Sequence, residues 1–318
     1  EAQGRKYLWP AMFSDLCDEY ERRYGLNYDH LMGISKINFE NGRRNPNSQA
    51  RNWKFTDKSF SADDDANPVI DGWMRRQDCG QVTDGAAVIF LASEARARQY
   101  ARERDIDIEQ LAVIRGWGHT TAPLMMDTKL EESRDQDYVL PWTRKAITDA
   151  YARAGISGVE QVDAIETHDC FSITEYMAIE HFGITAPGEA WKAIEDGRIA
   201  MDGAIPVNPS GGLIGLGHPV GATGVRMMLD SYRPASEALA GIKNRLAIPA
   251  ISAPMFLVSG LELVKATCRN GVIGAFPFPN ARTIATLDAW LDDLGRTLGA
   301  DSQAVPYAVN LTTHRSYD

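Results

Sequence analysis

The sequence predicts a layered α/β fold, and three observations carry that expectation. Short apolar runs alternate with helical periodicity between about residues 85 and 183, and at 161–183 a strand-like run leads directly into a capped helix. After about residue 233 a separate β-α-β-α-β rhythm begins. With 318 residues and 44% hydrophobic content, the chain can bury two cores. A net charge of −10 argues against a nucleic-acid partner, which needs a basic patch to neutralise phosphates. Cys17, Cys79, Cys170 and Cys268 lie far apart with no CxxC pair, so a reducing cytoplasm is the expected compartment. No apolar run approaches the roughly 20 residues of a membrane span. No metal site is expected. The chain opens at Glu1 directly into helical sequence, and a segment preceding it is expected.

Each element has its own justification. In LWPAMFSDLCDEYERRYG, Trp9, Phe13, Leu16, Tyr20 and Tyr24 fall at helical spacing, with Pro10 in the first turn and Gly25 as the stop. Residues 41–68 are polar and read as exposed loop. GAAVIFLA (85–92) and LAVIRGWG (111–118) read as buried strands, separated by a helix that Ser93 caps. Pro141 opens a helix through Ala154, stopped by Gly155. QVDAIETH (161–168) reads as a strand and SITEYMAIEHFG (172–183) as a helix, with Ser172 and Glu175 forming an S-x-x-E capping box. In the tail, Ile284, Leu287, Leu291, Leu294 and Leu298 mark one face of a further helix.

The stretch NPSGGLIGLGHPVGATG (208–224) sets His218 among glycines. Taken alone, it admits a tight turn whose histidine caps a carbonyl, or a phosphate-binding turn. The spacing Gly215-x-Gly217-x-x-x-Gly221 departs from G-x-G-x-x-G, which weakens the dinucleotide reading. A second constellation is ETHDCFS (166–172), placing His168, Asp169 and Cys170 at a strand-to-helix turn. There a helix N-terminus would favour anions and lower a thiol's pKa. His30, His119 and His181 fall outside both stretches and read as surface or packing residues.

These two stretches together resemble the thiolase family, specifically its sterol-carrier-protein and acetyl-CoA acetyltransferase-like branch, over about residues 5–232. The resemblance implies a thiolase-like α/β/α layered fold, incomplete here, acting on a coenzyme A thioester with no further cofactor, and at least a dimer when complete. It implies that His218 is the catalytic base, and that His168 binds the thioester oxygen where many thiolases use asparagine. Asn208, Gly212, Gly217, Pro219 and Gly221 would form the site loop. Residues 1–70 would be the loop region over the acyl-CoA site, 71–125 the end of the N-terminal core, and 126–233 a truncated C-terminal core. Cys170 is not a nucleophile in that pattern, and Cys79 and Asp169 are expected to be structural. A ketoacyl-synthase-like condensing enzyme would share the fold, but H-D-C-F with N-P-S-G-G favours thiolase. Both catalytic cysteine signatures are missing from the sequence: Cys268, in ATCRNGV, lacks the Cys-x-Gly form. The expected chemistry is thiolysis or Claisen condensation of a 3-oxoacyl-CoA, with this chain inactive alone.

The tail 238–318, through LAIPAISAPMFLVSG and PYAVNLTTHRS, resembles the start of a nitronate monooxygenase. That resemblance implies the first units of a (β/α)-barrel, with Ala253, Pro254, Met255 and Asn310 as FMN contacts if the barrel were complete. The chain therefore reads as two partial enzymes joined near residues 229–240. An FMN-dependent oxidoreductase and a non-catalytic acyl-CoA-binding protein are the alternatives to an acyltransferase.

Overall fold

A computed structural model of the chain describes residues 4–232, 260–269, 275–277, 281, 283–299 and 308–310. It divides into two compact units. The first comprises residues 1–83 and 107–218, and the second 84–106 and 219–318.

The first unit is built on helices α1 (Leu8–Tyr24), α2 (Tyr28–Arg44), α4 (Met126–Glu132), α5 (Pro141–Ala154), α6 (Ser172–Phe182) and α7 (Ala190–Glu195). A short antiparallel pair, β1 (Val69–Asp71) with β2 (Met74–Arg75), packs beside α1. The α1 pattern delivers the expected stripe: Leu16 and Tyr20 are fully buried, and Gly25 ends the helix. α6 sits at the centre, burying Ile173, Tyr176, Met177 and Ile179 against Leu31 and Ile34 of α2 and Ala190 and Ala193 of α7. Burying one such aliphatic side chain contributes about 2 kcal/mol.

Two buried titratable neighbours on α6 make this core pH-sensitive. Burial pushes Glu180 up to about 7, although Tyr20 Oη and the Ala190 N–H donate to its carboxylate. Burial lowers His181 to about 4. Its Nε2 accepts from Leu140 N at 3.3 Å and its Nδ1 meets the Met177 carbonyl, which makes it a packing residue as expected. Between pH 4.5 and 7 the folded state holds the Glu180 proton that the unfolded chain has released, so stability falls as pH rises across that window. His181 acts in the opposite sense below pH 6.5. Glu180→Gln isolates the carboxylate. Urea unfolding of wild type relative to the variant should show a loss on the order of 3 kcal/mol between pH 5 and 8. Parallel pH profiles for the two proteins would contradict this origin.

The second unit holds α3 (Glu94–Arg104), α8 (Thr223–Tyr232), α9 (Leu261–Arg269), β3 (Ala275–Pro277), α10 (Ile284–Gly299) and β4 (Ala308–Asn310). β3 and β4 pair in parallel across α10, with Phe276 opposite Val309. Their core is Val264, Cys268, Phe276, Leu294 and Leu298. The α10 face read from the sequence is present at Leu294 and Leu298, whereas Ile284 at its start is 71% exposed.

Three sequence expectations need correction. Residues 85–92 and 111–118 form no strand and join no ladder among the described residues, and Phe90, Leu91, Val113 and Trp117 stand exposed. A strand becomes a buried strand only when neighbours pair its edges and cover its faces. Residues 116–120 still alternate as a strand does. Gly116 and Gly118 lie against Ala146, Ala150 and Ala154 of α5, and Thr120 Oγ1 donates to the Trp142 carbonyl at 2.9 Å. Residues 161–168 contribute only a single bridge, between Ile165 and Val207. Finally, 41–68 is not an exposed loop: Asn41, Ser48, Ala50 and Asn67 are buried.

Candidate functional site

The site grows from one parallel bridge. Ile165 N donates to the Pro206 carbonyl at 2.9 Å, and Asn208 N donates to the Ile165 carbonyl at 2.7 Å. This alignment runs the 163–168 segment alongside the start of the glycine stretch. Asn208 then turns with φ 49°, a left-handed conformation asparagine tolerates, and its Oδ1 accepts from Thr167 N at 2.8 Å. Ser210 closes a second tie through N and Oγ to Glu166, at 2.9 and 2.7 Å.

Beyond Ser210 the chain makes one π-helical turn, Gly212–Leu216, wrapped tightly on α2. The polar residues of the supposed loop explain how. Asn41 Nδ2 donates to the Asn208 carbonyl at 3.0 Å, Asn45 Nδ2 to Ser210 O at 2.9 Å, and Ser48 Oγ to Gly215 O at 2.8 Å. Asp169, fully buried, receives Leu213 N at 2.6 Å and Ile214 N at 3.1 Å. Gly212 must be glycine: its φ is +60°, and a Cβ there would run into the Asp169 carboxylate. Gly217, at φ +132° beside Thr83, hands the chain to an extended segment. His218 N donates to Gln81 O at 2.9 Å, and Thr83 N donates to His218 O at 3.1 Å.

The result is that His168 and His218 meet. Their ring centroids lie 5.3 Å apart with the rings nearly perpendicular at 86°. His168 is exposed and His218 half-buried, so the pair is reachable from solvent on a backbone anchored at both ends. Two imidazole rings with centroids this close are near enough for both to address one acceptor atom.

Behind the histidines lies a buried polar layer. Asn38 Nδ2 donates to Asp169 at 2.9 Å and to Glu175 Oε2 at 2.6 Å, and Asn208 Nδ2 reaches the same Oε2 at 2.7 Å. Desolvation and the neighbouring Asp169 push Glu175 well above the usual carboxylate range. Asp78, also buried, rises to about 6, although it accepts from Ser172 Oγ, Arg75 N and Tyr28 Oη.

This layer corrects the capping box. Helix α6 begins where expected, but Phe171 is its N-cap and neither Ser172 nor Glu175 caps it. Their side chains turn instead to Asp78 and to the two asparagines, because buried polar groups take the partners that tertiary packing brings. The lowering of a thiol pKa that a helix N-terminus would bring is not seen at Cys170, which is not expected to be a nucleophile. Burial pushes its thiol, like that of Cys79, up to about 12, and desolvation outweighs the helix end. Cys17 is likewise raised well above its ordinary value, and Cys268 is buried in the second unit's core.

Of the other candidates, Pro219 and Gly221 belong to the second unit, where Gly221 is exposed with open space around it. Ala253, Pro254 and Met255 lie outside the described residues, and Asn310 is described as the last residue of β4. His30 pairs with Glu195 at 3.0 Å and stacks with Tyr176 and with Trp191. The sequence reading missed Asn38. Its signal was a helix-disfavoured asparagine on the apolar Leu31–Ile34 stripe of α2.

Comparisons with known proteins give the family. A family model described as thiolase C-terminal domain-like matches residues 125–240. An acetyl-CoA acetyltransferase of Methanothermobacter thermautotrophicus is 30% identical over 217 residues, covering 68% of this chain and 52% of that protein. One from Methanocaldococcus jannaschii is 31% identical over 226 residues, covering 70% and 54%. Sterol carrier protein 2 of Gallus gallus is 31% identical over 221 residues, covering 69% of this chain and 38% of that protein. The chain thus spans about half the length of the archaeal relatives it matches. Among solved structures, the Ltp2-ChsH2(DUF35) aldolase shares the fold with a TM-score of 0.55 at 22% identity, covering 73% of this chain and 58% of that one.

Proposed function

Starting from a chain that is, in part, a thiolase-family protein, we propose that its histidine pair binds the thioester carbonyl of an acyl-CoA. The reaction class is acyl transfer, by thiolysis or Claisen condensation of a 3-oxoacyl-CoA. His168 donates to the carbonyl oxygen as negative charge develops there, and His218 serves as base and second donor. The observation that carries this reading is the 5.3 Å approach of the two rings. An imidazole suits both duties because its pKa lies near working pH. Asn208, Gly212 and Gly217 shape the loop that presents His218. The complete fold is proposed to work as a dimer or larger assembly.

Three of the four cysteines argue that this polypeptide binds rather than turns over. A nucleophile must be a thiolate, and burial opposes that form at Cys17, Cys79 and Cys170. Titration calorimetry with acetoacetyl-CoA should therefore show binding, while thiolysis assays show none. His168→Ala and His218→Ala should each weaken binding about fivefold, the worth of one modest hydrogen bond. Robust turnover by residues 1–318, or binding indifferent to both substitutions, would overturn the reading. Among the described residues no helix is long and apolar enough to cross a membrane.

The tail supports a second, narrower reading. β3–α10–β4 is a parallel β/α/β unit, the building block of a (β/α)-barrel. Three of the four proposed FMN contacts lie outside the described residues, so no step is derived through flavin. Visible flavin absorbance in the purified chain would favour this reading, and its absence after FMN addition would remove it.

A further inference from the structure

One buried carboxyl group backs both histidine-bearing loops. Glu175 is completely buried at the start of α6, and its Oε2 takes both Asn208 Nδ2 and Asn38 Nδ2. The other end of the Asn208 amide, Oδ1, holds Thr167 N, the residue next to His168. Asn38 in turn holds Asp169, and Asp169 holds the Leu213 and Ile214 amides of the turn that leads to His218. The loops are also tied directly, from Glu166 to Ser210, from Asn208 to Thr167 and from Asp169 to Leu213 and Ile214. Glu175 with Asn38 and Asn208 forms the layer that backs these ties. Glu175 Oε1 and Asn38 Oδ1 are both buried without a hydrogen-bond partner. A cost of that kind is retained at sites where it sets a geometry.

We propose that Glu175 is the positioning residue of the site: through Asn208 and Asn38, its buried carboxyl sets the separation of His168 and His218. The inference rests on the acyl-CoA reading only in taking those two rings as one site. The charged groups facing Glu175 are Asp169 and Glu166 on the 163–171 segment, while α2 and the glycine loop present the neutral Asn38 and Asn208. Crowding by these acids and burial both favour the neutral form. A neutral glutamine of the same shape should therefore replace Glu175 with little loss.

The test uses the full chain labelled with 15N-histidine, each ring assigned by a single His→Gln variant. Two imidazoles about 5 Å apart couple by roughly half a pH unit even in a water-like medium. His168→Gln should therefore move the His218 titration midpoint by about that amount. In a Glu175→Ala background the same substitution should move it by less than about a third as much, because Asn208 and Asn38 lose their common anchor and the ties they make to the two loops loosen. Glu175→Gln should restore the full shift. Should Glu175→Ala not fold, Asn208→Gly provides the second arm: it keeps the left-handed backbone, removes the amide, and should also abolish the coupling. Coupling in wild type that survives Glu175→Ala, or survives Asn208→Gly where Glu175→Ala does not fold, overturns the inference and leaves the histidine site standing. Absence of coupling in wild type overturns the site reading itself. Loss of coupling in Glu175→Gln contradicts the neutral carboxyl.

Discussion

Asp169→Asn is expected to destabilise the first unit by about 3 kcal/mol, with the glycine loop losing order before the helices do. The carboxylate accepts from Leu213 N, Ile214 N and Asn38 Nδ2 in a fully buried position. An asparagine amide of the same shape turns donors toward donors, and unpaired buried polar groups cost about 1–3 kcal/mol each. Urea unfolding followed by circular dichroism gives the total. Hydrogen exchange at Leu213 and Ile214 locates the loss, and both amides should exchange at least tenfold faster. A change below about 0.5 kcal/mol would show that the acid only fills space.

Gly215→Ala should be of similar size and for a different reason. A Cβ at this glycine would fall on the Asn38 carbonyl, and a Cβ at Gly42 would fall on the Gly215 carbonyl, so α2 and the π turn touch backbone to backbone. Neither atom belongs to a flexible side chain, so the loop has to move. Overpacking of this kind costs about 3 kcal/mol at the upper end of its range. Because the displaced segment carries Gly217 and His218, acetoacetyl-CoA affinity should fall at least tenfold alongside the Tm. A variant with normal Tm and normal affinity would contradict the close packing.

What was legible in the sequence was local. Helices α1, α5, α6 and α10 announced themselves by apolar spacing with a proline at the start or a glycine at the end, and all four lie within a residue or two of the expected bounds. The histidines were legible because each sits in a dense run of specific residues, ETHDCFS and NPSGGLIGLGHP. The layer behind them was not. Glu175 matched a helix cap, a contact spanning three residues, while its observed partners Asn38 and Asn208 are remote in sequence. Asn41, Asn45 and Ser48 looked like solvent-facing loop because polarity was read as exposure. Their partners are the backbone carbonyls of Asn208, Ser210 and Gly215, remote in sequence, which need donors once buried. The apolar runs at 85–92 and 111–118 erred in the other direction: their composition is that of buried strands, and pairing is a property of neighbours rather than of the run.

Acyl-CoA binding as proposed requires the two imidazoles to act on one atom. A double-mutant cycle on acetoacetyl-CoA affinity, comparing wild type, His168→Ala, His218→Ala and the double variant, measures that directly. Two groups contacting a common oxygen should show a coupling of about 1 kcal/mol, so that the second substitution costs much less once the first is made. Additivity within about 0.3 kcal/mol would mean that the rings serve separate contacts, and the shared-carbonyl site would have to be given up.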